Sequence, residues 1–299
     1  MQVSSHDIEK SLNQMQMRGR VLALFGLLTT AILMTACANQ PELSANSHTN
    51  TIILLGEVHD NPDGHRSRFE DLQKMVESGW RPAIAMEQFD RENQAILSKA
   101  QTECADAECI ISKVGGKRWQ WSYYQPAMQL ALRYQLPLLA ANVSRSDAAR
   151  VMRDGFASVL DAQTINTFKL NKPLPIDLAD AQRQEINIGH CGKLPADMAE
   201  GMVNAQVVRD VWMAKVLSEN AKTGVVLLAG NGHVRRDLGV PRWLPEDITR
   251  QTQIHGYIEP ATDADASKSA RLYDFTHIVT AHIRPDPCKS FEIAVPPKQ

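Results

Sequence analysis

The chain has 299 residues, of which 22% are charged, and its formal net charge at pH 7 is −2. A chain of this length can form one substantial domain with its own hydrophobic core. Because the charge is nearly balanced and no block of basic residues is present, the composition gives no reason to expect nucleic acid as a partner.

The N-terminal segment predicts export. Arg18 and Arg20 precede an apolar run at residues 21–33 that is too short to span a bilayer comfortably. A positive flank, a short apolar run and small residues before a cysteine are the features of a secretory signal. We therefore predict a signal peptide at residues 1–36, cleaved before Cys37.

Cys37 follows a lipobox-like ending, and lipid attached to such a cysteine replaces a transmembrane helix as the membrane anchor. Residues 37–50 would then be a palmitate-bearing cysteine and a polar tether. The residue after this cysteine is Ala38. By resemblance to Gram-negative lipoproteins, an aspartate at this position would favour retention at the inner membrane, so Ala38 favours the outer membrane. We predict a lipoprotein anchored in the outer membrane and facing the periplasm. Cleavage elsewhere, with Cys37 incidental, is the alternative.

Short apolar runs alternate with helical segments after residue 50. Buried strands are predicted at residues 51–55, 82–87, 136–142 and 224–230. Helices are predicted at residues 62–77, 126–135 and 198–220. Strands that alternate with helices predict an α/β fold, in which helices flank a mainly parallel sheet.

The C-terminal half contains two further predicted strands and a segment of another kind. Strands at 252–258 and 275–282 are predicted to complete the sheet. Shorter helical stretches at about 146–197 are interrupted by a proline-containing sequence at 171–175. We therefore predict a smaller all-helical subdomain there, within one α/β domain at 51–299.

Four cysteines follow Cys37 in the sequence: Cys104, Cys109, Cys191 and Cys288. An even number of cysteines in an exported chain predicts disulfides. Four cysteines allow three pairings, and the short spacing of the first two favours Cys104–Cys109 with Cys191–Cys288. A metal site is the alternative, but the spacing matches no zinc pattern.

Four predicted strands end on polar residues that should share one edge of the sheet. These residues are Gly-Glu-Val-His at 56–59, Glu87, Asn142 and Gly-Asn-Gly-His at 230–233. The carboxyl ends of parallel strands are where open α/β sheets bind ligands. Two copies of Gly-x-x-His at such ends are difficult to explain by packing alone, so we predict a functional cleft.

The cleft supplies a candidate catalytic set: Glu57, His59, Glu87 and His233. Imidazole and carboxylate groups can perform acid–base chemistry on water, and His59, His233 and Glu87 are also candidate ligands of a divalent metal. This set predicts a hydrolase or peptidase. For any one of these residues the alternative is structural, such as a histidine bound to a backbone carbonyl or a glutamate paired with arginine.

Four residues of the predicted helix at 198–220 follow an i, i+3, i+4, i+7 spacing: Gln206, Arg209, Asp210 and Met213. This spacing places them on one helical face, and a polar stripe on such a face indicates a cleft wall. Asp210 is a candidate to hold a histidine or arginine, and Arg209 to pair with Glu57 or Glu87. A buried structural ion pair is the favoured alternative.

Several short motifs occur in the order of one known family. They are Gly-Glu-Val-His at 56–59, Ala-Met-Glu-Gln-Phe at 85–89, Tyr-x-Pro at 124–126, Asn-x-x-Arg at 142–145, Gln-x-x-Arg-Asp-x-x-Met-Ala at 206–214 and Ala-Gly-Asn-Gly-His-Val at 229–234. Together they resemble the ChaN family over about residues 51–244. ChaN proteins are haem-binding, iron-regulated lipoproteins in one superfamily with the Tiki metalloproteases, the TraB/PrgY proteins and erythromycin-esterase-like hydrolases.

The resemblance implies haem as the cofactor, in a lipoprotein of haem or iron uptake that holds haem in a pocket between two paired subunits. It also implies a tyrosine as the iron ligand, basic groups of the partner subunit on the haem propionates, and an outer-membrane haem receptor as a partner. A tyrosine phenolate is a hard anionic ligand that suits ferric haem.

Two adjacent tyrosines, Tyr123 and Tyr124, are the candidate iron ligands, because they lie in an aromatic segment at 119–126. Tyr134, Tyr257 and Tyr273 are less marked. The candidate propionate partners, chosen by charge and by nearness in sequence, are His65, Lys113, Lys117 and Arg118. Core packing of the aromatic side chains and solvation of the basic ones are the alternatives.

Two functions of different classes follow from the sequence. The resemblance favours a haem-binding protein that pairs as a homodimer. The two Gly-x-x-His motifs favour a hydrolase, and both functions are compatible with one molecule. A cleft that is a relic, in a protein that only tethers a partner, is a third alternative.

Overall fold

The computed structural model describes residues 52–260, 267, 269 and 271–289. The predicted signal peptide at 1–36, Cys37 and the tether to residue 50 lie outside these residues. In the described part of the chain, no helix is long and apolar enough to cross a membrane.

Six parallel strands form one sheet in the order β3-β2-β4-β1-β5-β6. The strands are β1 (Ile52–Leu55), β2 (Ala83–Asp90), β3 (Leu138–Asn142), β4 (Val225–Leu228), β5 (Thr252–Ile258) and β6 (Phe275–Ile278). The α/β fold with a parallel sheet, predicted from the sequence, is confirmed.

Ten α-helices accompany this sheet within the described residues. They are α1 (Pro62–Glu77), α2 (Gln94–Glu103), α3 (Ala107–Val114), α4 (Gln125–Tyr134), α5 (Arg145–Asp154), α6 (Ala162–Thr167), α7 (Ile176–Gly189), α8 (Ala196–Asn220), α9 (Asn231–Val234) and α10 (Glu246–Thr249). Helix α1 begins after Asn61 because the Asn61 side chain accepts the Gly64 N–H and Pro62 occupies the first turn.

Both faces of the sheet are covered, which explains why the strand sequences are almost continuously apolar. Ile53 and Leu55 belong to one buried cluster together with residues of α1 to α4. Ile52 and Leu54 point the other way, into a cluster that contains Met213 of α8. A third buried cluster joins α5, α7 and α8. The division into a separate helical subdomain at about 146–197 stays a prediction.

The largest differences from the predicted strand bounds are at the ends of β2 and β6. Strand β2 continues to Asp90, beyond its predicted end at Glu87, because its register against β3 shifts between Met86 and Asp90. Such a bulge re-aims side chains, and Glu87 lies within it. Strand β6 ends at Ile278, short of the predicted residue 282, since it lies at the edge of the sheet and pairs only with β5.

Both predicted disulfides are present. Cys104 is bonded to Cys109, between α2 and α3, and Cys191 is bonded to Cys288. The second disulfide joins the segment after α7 to the C-terminal segment that follows β6.

Candidate functional site

The polar strand ends predicted to meet do meet, because β3, β2, β4 and β1 are neighbours in the sheet. A cavity of about 560 Å³ lies at their carboxyl ends. Its lining includes His59, Glu87, Asn142, Arg118, Arg209 and His233. Glu57 lies beneath this lining, with its side chain completely buried.

The first Gly-x-x-His histidine, His59, is held by the Glu57 carboxylate. The His59 Nδ1 lies 2.7 Å from Glu57 Oε1, and 49% of the His59 side chain is exposed. Because an ionised carboxylate only accepts hydrogen bonds, the proton of the neutral His59 ring lies on Nδ1, which leaves the lone pair of that form on Nε2. Burial alone would lower the pKa of His59, but the Glu57 hydrogen bond and the Glu87 charge outweigh it and raise that pKa.

The second histidine, His233, is held in the same way by Asp210 of α8. The His233 Nδ1 lies 2.6 Å from Asp210 Oδ1, and its Nε2 lies 3.6 Å from Glu87 Oε1. Burial would lower the pKa of His233, but the charges of Asp210 and Glu87 outweigh this effect and raise the pKa. Each Gly-x-x-His motif therefore presents a histidine whose ring is oriented by a buried carboxylate.

Gly230 allows His59 to approach β4. A Cβ atom at this position would lie 2.9 Å from His59 Cε1 and 3.0 Å from His59 Nε2. The Gly230 N–H also donates to Glu87 Oε2 at 2.8 Å. A larger residue would displace the His59 ring. The glycine of the second Gly-x-x-His motif is therefore needed for the position of the histidine of the first motif.

Glu57 has more side-chain partners than the sequence indicates. Arg68 of α1 donates to its Oε2, and the Tyr124 hydroxyl donates to its Oε1 at 2.6 Å. Burial would raise the pKa of Glu57, but the Arg68 charge and the His59 hydrogen bond hold that pKa far below its ordinary range. The predicted pairing of Arg209 with Glu57 or Glu87 is not formed: Arg68 fills the place beside Glu57, and Arg209 has no carboxylate within 4.0 Å among the described residues.

A signal for Arg68 was present in the sequence. The residues of α1 that face the sheet are His65, Arg68, Leu72 and Val76, in the spacing of a buried helical stripe. A histidine and an arginine that continue an apolar stripe must find partners inside the protein. Glu57, which follows the carboxyl end of β1, is the carboxylate that pairs with Arg68 and meets this requirement.

Tyr124 is not presented to a ligand. Its side chain is 1% exposed and its hydroxyl is bound to Glu57. Burial, together with the Glu57 charge, raises the pKa of the Tyr124 phenol and so disfavours a phenolate. The structure therefore argues against Tyr124 as the iron ligand, and gives it the role of holding Glu57.

Tyr123 has different surroundings. It is half-buried, and its ring stacks on His65 with a centroid separation of 4.6 Å. Within the described residues its hydroxyl takes part in no hydrogen bond. Tyr123 lies two residues before α4, at the same sheet edge as the cavity. Of the two tyrosines predicted from the sequence, it is the one whose hydroxyl is unengaged.

The three other tyrosines are less suited to bind a ligand at this edge. The Tyr257 hydroxyl donates to Asp71 at 2.7 Å, and Tyr273 is buried, which raises its pKa to about 12. Tyr134 lies at the far end of α4, with the Arg81 guanidinium 4.7 Å from its ring centroid.

The predicted propionate partners divide into two groups. His65 is buried and its Nε2 lies 3.0 Å from the His59 carbonyl, so it is not available to a propionate and that prediction is corrected. Lys113 pairs with Glu103 at 2.8 Å. Lys117 and Arg118 are exposed, and the Arg118 guanidinium lies 5.0 Å from the Trp119 ring centroid.

In the part of the chain that the structure describes, no group of three or more His, Cys, Asp or Glu side chains is arranged to hold a metal ion. The candidate ligands His59, Glu87 and His233 share the cavity wall, with both Nδ1 atoms engaged by carboxylates. The metal alternative for these residues stays a prediction.

Comparison with protein families settles the relationship of the chain. Residues 43–244, more than half of the chain, match a family model described as haem-binding uptake, Tiki superfamily, ChaN. This chain belongs to the ChaN family. The family match contains all the cavity residues named above. No curated protein matches the chain.

One solved structure in particular shares this fold. A structure of cofacial haem binding to ChaN of Campylobacter jejuni is similar, with 20% sequence identity and a TM-score of 0.57, over 78% of this chain and 89% of that chain. An erythromycin esterase mutant in its open conformation has 13% identity and a TM-score of 0.42, over 70% of each chain.

Proposed function

We propose that this protein binds haem for uptake, with Tyr123 as the iron ligand. The observation that carries the proposal is the unengaged Tyr123 hydroxyl at the ligand-binding edge of a ChaN-family fold. Stacking on the buried His65 ring holds the tyrosine in position. A phenolate at this position would supply the hard anionic donor that ferric haem favours.

The residues around Tyr123 fit a flat, anionic porphyrin. Trp119 and Trp121 are half-buried beside the tyrosine and offer aromatic surfaces. Lys117 and Arg118 are exposed cations at the same edge, and such groups bind carboxylates such as propionates. Haem would bring the ferric iron, while the protein supplies the donor, the aromatic contacts and the positive charge.

The cellular setting is part of the same proposal. The signal at 1–36 and Cys37 support a lipid-anchored protein of the outer membrane that faces the periplasm. Cofacial haem in ChaN of Campylobacter jejuni supports a homodimer that pairs around haem. A haem receptor in the outer membrane is the partner that such a protein would serve.

Tyr123→Phe should weaken haemin binding at least about tenfold, equivalent to about 1.4 kcal/mol, and remove the tyrosinate band from the absorption spectrum. The measurement is a haemin titration of the purified full chain, followed by absorbance, with sedimentation to report dimer formation. Tyr134→Phe is the matched control, because Tyr134 is also half-buried but lies at the opposite sheet edge. Equal affinities of the two variants would remove Tyr123 from the site.

A second candidate function, hydrolysis, is favoured by the two carboxylate–histidine pairs that flank Glu87. In this alternative the His233 Nε2, 3.6 Å from Glu87, takes a proton from water as the water oxygen attacks a carbonyl carbon. Asp210 positions the ring and stabilises the imidazolium that forms. The pair Glu57–His59 gives the opposite wall the same chemistry.

His233→Ala should lower hydrolysis of p-nitrophenyl acetate at least about 100-fold, whereas His282→Ala, at an exposed histidine, should leave the rate unchanged. Because the His233 pKa is raised above 6.5, the rate should rise with pH in a limb centred above pH 6.5. Asp210→Asn removes one charge that raises this pKa, so the limb should move to lower pH. A rate that is the same in both histidine variants would exclude this function.

A further inference from the structure

Arg209 of α8 differs from the other arginines of the described chain that are at least partly buried. Five arginines there are buried or half-buried. Four of them contact carboxylates: Arg68 with Glu57, Arg91 with Asp147, Arg183 with Glu200, and Arg235 with Glu185. Arg209 has no carboxylate within 4.0 Å among the described residues.

The Arg209 guanidinium is also short of hydrogen-bond acceptors. A guanidinium has five N–H donors, and in the described residues Arg209 uses one of them, from Nη1 to the Ala205 carbonyl at 3.2 Å. Burial lowers the pKa of Arg209, the Glu87 charge opposes this effect, and the Arg118 charge adds to it, so that the pKa lies below its ordinary value. A half-buried guanidinium that lacks a carboxylate partner and most of its hydrogen-bond acceptors would be stabilised by a bound anion.

Arg118 brings a second positive charge to the same cavity. Its guanidinium lies over Trp119, and no carboxylate of the described chain lies within 4.0 Å of it. Two carboxylates line this cavity: Asp60, which Arg284 binds at 2.8 Å, and Glu87, which accepts the Gly230 N–H at 2.8 Å. Two cations that face one cavity repel each other, and an anion bound between them would reduce that repulsion.

We propose that Arg209 and Arg118 form a carboxylate-binding subsite in the cavity, beside His233. The planar fork of a guanidinium matches a carboxylate with two parallel hydrogen bonds, which an ammonium group does not reproduce. The body of the ligand would lie against the Trp119 ring. The ligand is therefore an organic acid whose carbon skeleton contacts the indole, rather than a neutral or cationic molecule.

The carboxylate has two sources. One is a haem propionate, and this identification rests on the proposed haem binding. The other is the carboxylate of a smaller acid that enters the cavity without haem. Arg209→Gln removes the charge and the fork and leaves a shorter polar side chain, so it tests both sources. Arg133→Gln is the control, since Arg133 is exposed, has no carboxylate partner in the described residues and lies near the far end of α4.

The test uses the purified full chain with three probes: haemin, haemin dimethyl ester and succinate. We expect Arg209→Gln to weaken haemin about tenfold and to leave the dimethyl ester, which lacks both carboxylates, unchanged. A second outcome is that the protein does not bind haemin but binds succinate in calorimetry, and that Arg209→Gln abolishes the succinate binding. This outcome supports the subsite and rejects the haem proposal. Equal weakening of haemin and its ester, or no effect on haemin and on succinate, would overturn the subsite.

Discussion

Arg68→Met should lower the free energy of unfolding by about 3–5 kcal/mol, because it leaves the Glu57 carboxylate buried without its charged partner. The Arg68 side chain is 3% exposed, and that of Glu57 is 0% exposed. Water therefore cannot replace the lost guanidinium. Methionine keeps the length and packing of the arginine stem, so that the measured change reports mainly on the charge. Urea unfolding followed by tryptophan fluorescence is the measurement.

The control is Arg183→Met. Arg183 also contacts two carboxylates, Asp180 and Glu200, but all three side chains are at least 40% exposed. Exposed ion pairs of this kind contribute about 0–1 kcal/mol. A double variant, Arg68→Met with Glu57→Gln, should recover part of the loss, since no unpaired charge remains. If Arg68→Met and Arg183→Met cost the same, the Glu57–Arg68 pair does not depend on burial as we infer.

The Glu57–Arg68 pair also marks where sequence interpretation stops. The strands, their order of alternation with helices and the meeting of Glu57, His59, Glu87 and His233 at one edge follow from apolar runs and from the geometry of parallel sheets. These patterns are local or depend on topology. The choice of Arg68 rather than Arg209 as the partner of Glu57 depends on which helix lies over β1, and that is a property of the packed structure.

The aromatic segment shows the same limit on a smaller scale. Tyr123 and Tyr124 are adjacent and were equal candidates in the sequence. Residues one position apart near the start of a helix point in different directions, so only one can face the core. Tyr124 points inward to Glu57, and Tyr123 remains at the surface against His65. The difference of one position thus separates a structural tyrosine from a candidate ligand.

Removal of the Cys191–Cys288 disulfide should have a second large effect on stability. The sequence separation of its cysteines is 97, against 5 for Cys104–Cys109. In the chain-entropy description a disulfide stabilises by restricting the unfolded chain, and the effect grows with the closed loop. We expect a loss of about 4.7 kcal/mol for the long loop and about 2 kcal/mol for the short loop.

The comparison requires two double variants, Cys191→Ala with Cys288→Ala and Cys104→Ala with Cys109→Ala, unfolded in urea without reductant. Cys104 is 8% exposed and belongs to a core cluster, so its replacement also removes packing, which brings the two losses closer together. A larger loss of stability in the Cys191/Cys288 variant would therefore support the chain-entropy description even though the other variant also loses packing at Cys104. Equal losses, or a greater loss from the short loop, would mean that native packing around each bridge, rather than restriction of the unfolded chain, determines its contribution.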